Sequence, residues 1–395
     1  MAKMKLLISA FIFSALLAEV SGQRDHEDFG WGLLDVSLPK PLSDHTAIAG
    51  TDGLIYIAGG CDAADGNVFI AIDENEGFFA CGSLSSSLYS FDPNTLEFVE
   101  LADLPRARYR HSSSFVGNEV WIIGGRTLDD TLIPEIDVYN IDSKSWSTVV
   151  LPAEYVVSDH AGFAQEPNYV FIVGGYDQNY TALDFLTRID ATTLDDATLG
   201  IEAQAPLRIA RGDIVGVTTT DGLSAFISGG FTHANKFCSP LGSTERYSFA
   251  SNEWEMLPNL VNERGEVVLV EVENQLYAMG GERQIEGVCN GAGDGLDVSE
   301  LTVGTDEVET LDPSGTAWEV TSGFPRHKFR FAAAADRQGI IYAFGGQTNH
   351  DNNCQCFKTT ADISVFGKGL GSSAYGFSTA LSFITVGALV FAMGI

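Results

Sequence analysis

Apolar and polar positions along the chain repeat. Six short hydrophobic segments each end in two glycines: LIYIAGG (54–60), VWIIGG (120–125), VFIVGG (170–175), SAFISGG (224–230), LYAMGG (276–281) and IIYAFGG (340–346). Short apolar runs bounded by turn residues predict strands. The second glycines are Gly60, Gly125, Gly175, Gly230, Gly281 and Gly346, a period of about 50 to 65 residues, which belongs to repeat architectures. Downstream of most pairs an apolar strand leads to an acidic turn, an aromatic and often Leu-Pro. The copies are SLYSFDPNTLEFVELADLP (87–105), DVYNIDSKSWSTVVLP (137–152), RYSFASNEWEMLP (246–258) and ETLDPSGTAWEV (309–320). Each repeat therefore reads as a twisted antiparallel sheet of about four strands. One such sheet cannot bury both faces alone, so the sheets must stack.

Both chain ends depart from this pattern. Residues 1–22 carry Lys3 and Lys5, then an apolar run from Leu6 to Leu17, then Val20 and Gly22. This order predicts a secretory signal peptide, with Gln23 as the first mature residue. After Lys368 no charged residue follows, and Phe377 to Ile395 is a continuous apolar-to-small run. Residues 367–395 thus read as the signal for a glycosylphosphatidylinositol anchor, with Gly369, Gly371 and Ser372 as candidate attachment residues. A transmembrane helix is the competing reading. The expected address is the secretory pathway, ending at the cell surface or outside the cell.

The double glycines, the spaced tyrosine and tryptophan, and the period resemble kelch repeats over roughly residues 29 to 366. The resemblance implies an all-β, six-bladed β-propeller occupying residues 23–366. Blade 3 departs from it, because LTRIDATTLDDATL (186–199) has no tryptophan. Blade 6 stops after ADISVF (361–366), while the N-terminus holds a surplus copy, WGLLDVSLPKPLSDH (31–45), to be compared with WSTVVLPAEYVVSDH (146–160). The N-terminal strand is therefore expected to complete the last blade and remove the open sheet edge.

Composition narrows the partners. The 395 residues include 22 Lys and Arg against 53 Asp and Glu, for a net charge of -31. Such a surface repels phosphate backbones and excludes nucleic acid. The six cysteines are Cys61, Cys81, Cys238, Cys289, Cys354 and Cys356. An even count in a secreted chain predicts three disulfides. Cys354 and Cys356 are too close to bridge without strain. Matching loop positions favour Cys238 with Cys289, leaving Cys61 and Cys81 to meet Cys354 and Cys356 across the seam between blades 1 and 6. Asn179-Tyr180-Thr181 is a glycosylation acceptor in the blade 3 loop.

Candidate site residues come from aligning the blades on their first strands. Three residues before the His45, His111 and His160 column stand Leu42, Arg108, Val157, Arg211, Arg264 and Lys328. Four of the six are basic. In kelch proteins this arginine often lies near the channel mouth, so the resemblance implies a basic ring formed by Arg108, Arg211, Arg264 and Lys328. Arginine forks suit carboxylates and sulphates, and the expected ligand is an acidic peptide or an anionic glycan. The bland alternative pairs these side chains with acids of a neighbouring blade. The histidines are expected to pack and hydrogen-bond beneath the loops rather than to bind metal. Acidic loops at 61–81 and 286–309 have a composition that suits calcium but lack the twelve-residue loop pattern; otherwise no cofactor is called for.

No Gly-x-Ser-x-Gly or His-Glu-x-x-His motif is present. The expected function is an extracellular, membrane-anchored, monomeric binding module for a protein or glycan. The alternative is a carbohydrate-active enzyme of the sialic acid mutarotase-like kelch type, with Arg264 and Glu266 as candidates.

Overall fold

The structure, a computed structural model, describes residues 29–368 apart from 64–66, 72–76, 194–199, 233–239, 285–301, 313–314, 322, 352 and 354–355. The expected signal peptide and the tail beyond Lys368 lie outside the described residues. Among the described residues the helical turns are two three-residue 3-10 segments, Ala153–Tyr155 and Ala191–Thr193, and no helix is long and apolar enough to cross a membrane.

Six four-stranded antiparallel sheets form the blades of a propeller. Blade 2 shows the pattern: Ser112–Val116 is innermost, followed outward by Glu119–Ile123, Glu135–Asn140 and Ser145–Val150. The double glycine ends the second strand because the chain there passes very close both to the next blade, where a Cβ on Gly59 would lie 2.8 Å from the Arg108 carbonyl, and to the turn that opens its own blade. Gly60 has φ +96°, and a Cβ on it would lie 2.5 Å from Cβ of His45 and 2.6 Å from the Ser43 carbonyl. Glycine alone meets both demands cheaply.

Apolar side chains between neighbouring blades form separate cores. Val116, Trp121, Ile136 and Val170 pack between blades 2 and 3, for instance, and Ile55, Phe91, Tyr342 and Phe344 pack between blades 1 and 6. The tryptophan of an outer strand ties each of several blades to the one before it. Nε1 of Trp146 donates to the Ala102 carbonyl at 3.2 Å, Trp254 to Ala205 at 2.8 Å and Trp318 to Pro258 at 3.1 Å. Blade 3 has Ile201–Gln204 in that place, with no tryptophan to donate.

The ring closes as the repeat pattern predicts. Phe29–Ser37 pairs antiparallel with Asp362–Lys368 as the outermost strand of blade 6. Trp31 packs on Phe324 and Phe366, with ring centroids 4.2 and 5.1 Å away. Beyond this strand the Gly346 amide donates to the Leu42 carbonyl at 2.8 Å, joining blade 6 to blade 1.

The expected disulfides across this seam are corrected. Cys61 pairs with Cys81, inside the blade 1 loop. The loop folds back as a hairpin, Asn67–Ala71 against Gly77–Cys81, which brings its two ends together. The seam is spanned instead by backbone. That hairpin joins Gln347–Asp351 and Cys356–Thr359 of blade 6 in one four-stranded sheet, through Phe357 and Asn67. Cys356 is also disulfide-bonded; Cys238, Cys289 and Cys354, and with them the expected Cys238–Cys289 bridge, lie outside the described residues.

Candidate functional site

Each blade begins with a turn that crosses under the previous blade's double glycine. The second glycine donates its amide to a carbonyl there: Gly60 to Arg108, Gly125 to Val157, Gly175 to Arg211, Gly230 to Arg264, Gly281 to Lys328 and Gly346 to Leu42, at 2.8–3.0 Å. This is the column that contains the expected basic ring.

The side chains of that column point away from the channel. Arg108, Arg211 and Arg264 are fully buried, and Lys328 is 1% exposed. Arg108 pairs with Asp137, Arg211 with Glu245 at 2.8 Å, Arg264 with Glu309 at 2.8 Å and Glu307 at 2.9 Å, and Lys328 with Asp362 at 3.0 Å. All these acids lie in or just before the third strand of the same blade, not of a neighbouring blade. Asp137, Glu245 and Glu309 occupy equivalent registers, opposite Ile122, Ile227 and Ala278. Where the column holds Val157 or Leu42, that register holds Thr187 or Tyr89. The acid thus accompanies the arginine from blade to blade, as a buried pair requires. Burial lowers the pKa of Arg108 to about 10, against the opposing pull of Asp137; it remains charged at neutral pH.

The charged column that faces the channel lies two residues further on: Asp44, Arg110, Asp159, Asp213, Glu266 and Arg330. All six have left-handed backbone, with φ between 51° and 56°. That conformation is unfavourable for residues other than glycine. Hydrogen bonds around the ring offset it: Asp44 N to Arg330 O, Arg110 N to Asp44 O, Asp159 N to Arg110 O and Glu266 N to Asp213 O, at 2.9–3.1 Å. The six side chains crowd one mouth of the channel; Arg110, Asp159, Asp213 and Arg330 are buried, and the side chains of Asp44 and Glu266 are nearly so. Arg110 Nε lies 3.8 Å from Asp44 and 3.5 Å from Asp159. Arg330 lies 2.9 Å from Glu266 and 3.8 Å from Asp44.

A second tier stands over this ring, from the residues just after each double glycine. Tyr176 donates to Asp213 at 2.8 Å. Arg126 donates to Ser158 Oγ and to the Asp177 carbonyl, both at 2.8 Å, and its guanidinium lies 3.9 Å from the Tyr180 ring centre. Burial, then the charge of Asp159, raises the pKa of Asp213; burial also raises Glu266, although Arg330 opposes it.

Beneath the ring lie the three histidines. His160 Nε2 meets Ser112 Oγ at 2.8 Å and His111 Nε2 meets Thr46 Oγ1 at 3.2 Å. Each thus reaches a hydroxyl of the preceding blade. Burial depresses His45 to about 3 and His160 to about 4, and holds His111 well below its usual value. All three are neutral at pH 7. Below them the innermost strands line a cavity of about 280 Å³, walled by small residues such as Ala47, Ser113, Gly162 and Ala333. Among the described residues no group of three His, Cys, Asp or Glu side chains is placed to hold a metal ion. The acidic stretches considered for calcium fall largely outside the described residues.

No family model matches the chain. Among curated proteins it is 25% identical over 255 residues to mouse Kelch-like protein 40, covering 64% of this chain and 37% of that protein. It is 26% identical over 226 residues to Kelch-like protein terF of Aspergillus terreus, covering 55% and 45%. It is 28% identical over 160 residues to human Kelch domain-containing protein 10, covering 37% and 32%. The matched region therefore spans less than half the length of these relatives. Among solved structures, that of YjhT superposes with a TM-score of 0.64 at 14% identity, over 83% of this chain and 95% of the other. At that identity the likeness concerns the fold.

Proposed function

We propose that this six-bladed propeller of the kelch-repeat kind is a protein-binding module that docks its partner on the face bearing the charged channel mouth. The observation that carries the reading is the gathering, on one face, of six charged turn residues, a second polar tier and the extended loops of blades 6 and 1. Rigid blades hold these loops in place, which is the arrangement that recognition requires. The names of the similar curated proteins carry the same kelch repeat. An anionic ligand held by Arg108, Arg211, Arg264 and Lys328 receives no support, because those side chains are buried and paired.

In this reading the propeller sits outside the cell, held by a lipid anchor at Gly369, Gly371 or Ser372 and carrying a glycan on Asn179. The signal-like start, the charge-free tail and the exposed Asn179 turn support it. A second reading, sugar turnover at the same mouth, draws on the buried Tyr176–Asp213 pair. Accelerated anomer exchange of a free sugar would separate it from binding.

The test uses steric wedges on intact cells. Asp129→Asn creates an Asn-x-Thr acceptor in an exposed turn on the channel-mouth face. Asp221→Asn with Leu223→Thr creates one on the opposite face. Partner capture by surface cross-linking should fall at least tenfold for the first wedge and stay unchanged for the second. Equal capture by both would reject this docking face. A phosphatidylinositol-specific phospholipase should release the protein from the same cells; signal that survives it would sink the lipid anchor.

A further inference from the structure

The channel below the charged ring is walled by the innermost strand of each blade. Each such strand is an edge of its sheet, so some of its peptide groups face the axis. The side chains between them are small. Blade 6 contributes Ala332–Ala335, four alanines in a row, and blade 1 contributes Ala47; Val215 and Val268 stand across from them. Among the described residues of this wall, Glu271 is the one charged side chain, and it accepts from the Thr220 amide at 2.8 Å. The cavity of about 280 Å³ is nearly twice the ~150 Å³ apolar cavity that holds a benzene. The charged ring crowds its upper end. At the lower end the strands emerge: His45 and Phe331 are buried, Ala335 is half-buried and Ala49 is exposed.

A separate observation marks this cavity as a ligand site. His45 lines it and is 5% exposed. Neither of its ring nitrogens has a hydrogen-bond partner within the protein. The equivalent His111 and His160 reach a hydroxyl of the preceding blade, but blade 6 offers Ala332 in that position. The same alanine strand thus opens space in the channel and leaves His45 unmet. A buried polar group is costly unless something bonds it.

We infer that the channel binds a small neutral alcohol or phenol, with its hydroxyl on His45 and its apolar body against the alanines of blade 6. A neutral imidazole offers one donor and one acceptor, and a hydroxyl answers both. A pure hydrocarbon would leave His45 unmet, an ion would find no free opposite charge on this wall, and a polyol would press hydroxyls against methyl groups. A mostly apolar wall with one placed polar group is the usual form of a small-molecule site. In proportion to benzene, the cavity takes about ten non-hydrogen atoms. The ligand enters from the face opposite the docking face. The inference goes beyond the docking reading and uses none of the six ring residues, so each can fail alone.

Calorimetry on the full chain would titrate benzyl alcohol, hexanol, toluene and glycerol. At least one of the two alcohols should bind saturably. Toluene, which lacks the hydroxyl, and glycerol, which lacks the apolar body, should each bind at least tenfold more weakly. The tighter alcohol identifies an aromatic or an aliphatic body. His45→Leu removes an unmet polar group and should fold; it should bring the alcohol down to toluene's affinity while toluene changes less than twofold. Ala333→Leu, which fills the cavity, should abolish alcohol binding. No saturable binding of either alcohol, toluene or glycerol binding as tightly, an alcohol preference that survives in folded His45→Leu, or unchanged binding by folded Ala333→Leu overturns the inference. If neither variant folds, the wild-type comparison decides: a tenfold preference for an alcohol over both controls upholds it, and equal affinities overturn it.

Discussion

His45 shows how one side chain can carry a cost that its neighbours avoid. Its two equivalents each bond a hydroxyl; it bonds none. An unmade buried hydrogen bond costs about 1–3 kcal/mol. His45→Leu is therefore expected to leave stability at pH 7 unchanged or higher, whereas His160→Leu should cost about 1–3 kcal/mol by orphaning Ser112. The pH dependence has a definite sign. The folded pKa of His45, about 3, lies below an unfolded value near 6.5. The unfolded chain takes up the proton first, so this contribution is full above about pH 6.5 and is lost as pH falls towards 3. Urea unfolding of His45→Leu should show a flatter decline across that window. A decline parallel to wild type would contradict the assignment. The functional column was harder to read than the histidines. Its residues precede the His45, His111 and His160 column by one position, and every blade is charged there. The sign changes from Asp44 to Arg110 to Asp159, so no single chemistry announces it. The basic column two residues earlier is more uniform and drew the expectation, but uniformity there reflects a repeated buried pair.

The third strands carry that pair. Arg211 bonds the Gly229 and Ser243 carbonyls and Glu245 from inside blade 4. Removing one partner leaves a buried charge, which costs about 3–5 kcal/mol. Arg211→Met alone should lose about that much, and Arg211→Met with Glu245→Leu should recover most of it, since blades 1 and 3 manage with apolar residues in the column. Chemical denaturation of the two singles and the double measures this. Additive losses would show that the pair is not the unit. The loops between second and third strands were less legible. Cys61 closes onto Cys81 because the intervening segment forms its own hairpin, and alternation within 67–81 was too short to separate that from a solvated loop. The resulting sheet with blade 6 joins strands nearly 300 residues apart in sequence, a distance at which no local signal speaks.

Across the whole molecule, repetition made the architecture readable. Six double glycines set the blade count, and the surplus Trp and Leu-Pro at the N-terminus located the closing strand. What repetition could not show is which repeated position turns inward, since that depends on a left-handed turn adopted by ordinary charged residues. The charged mouth exists only when the ring is closed. Two of its contacts, Gly346 N to Leu42 O and Asp44 N to Arg330 O, cross the seam that Phe29–Ser37 completes. Without that strand, Trp31 leaves Phe324 and Phe366, and blade 6 exposes an unpaired edge. The most direct measurement is thermal unfolding of the protein with residues 29–37 deleted, beside the intact chain. The account predicts loss of the cooperative transition or a fall of more than 10 °C in Tm. An unchanged melting curve would contradict a ring closed by its N-terminal strand, and with it the site that closure builds.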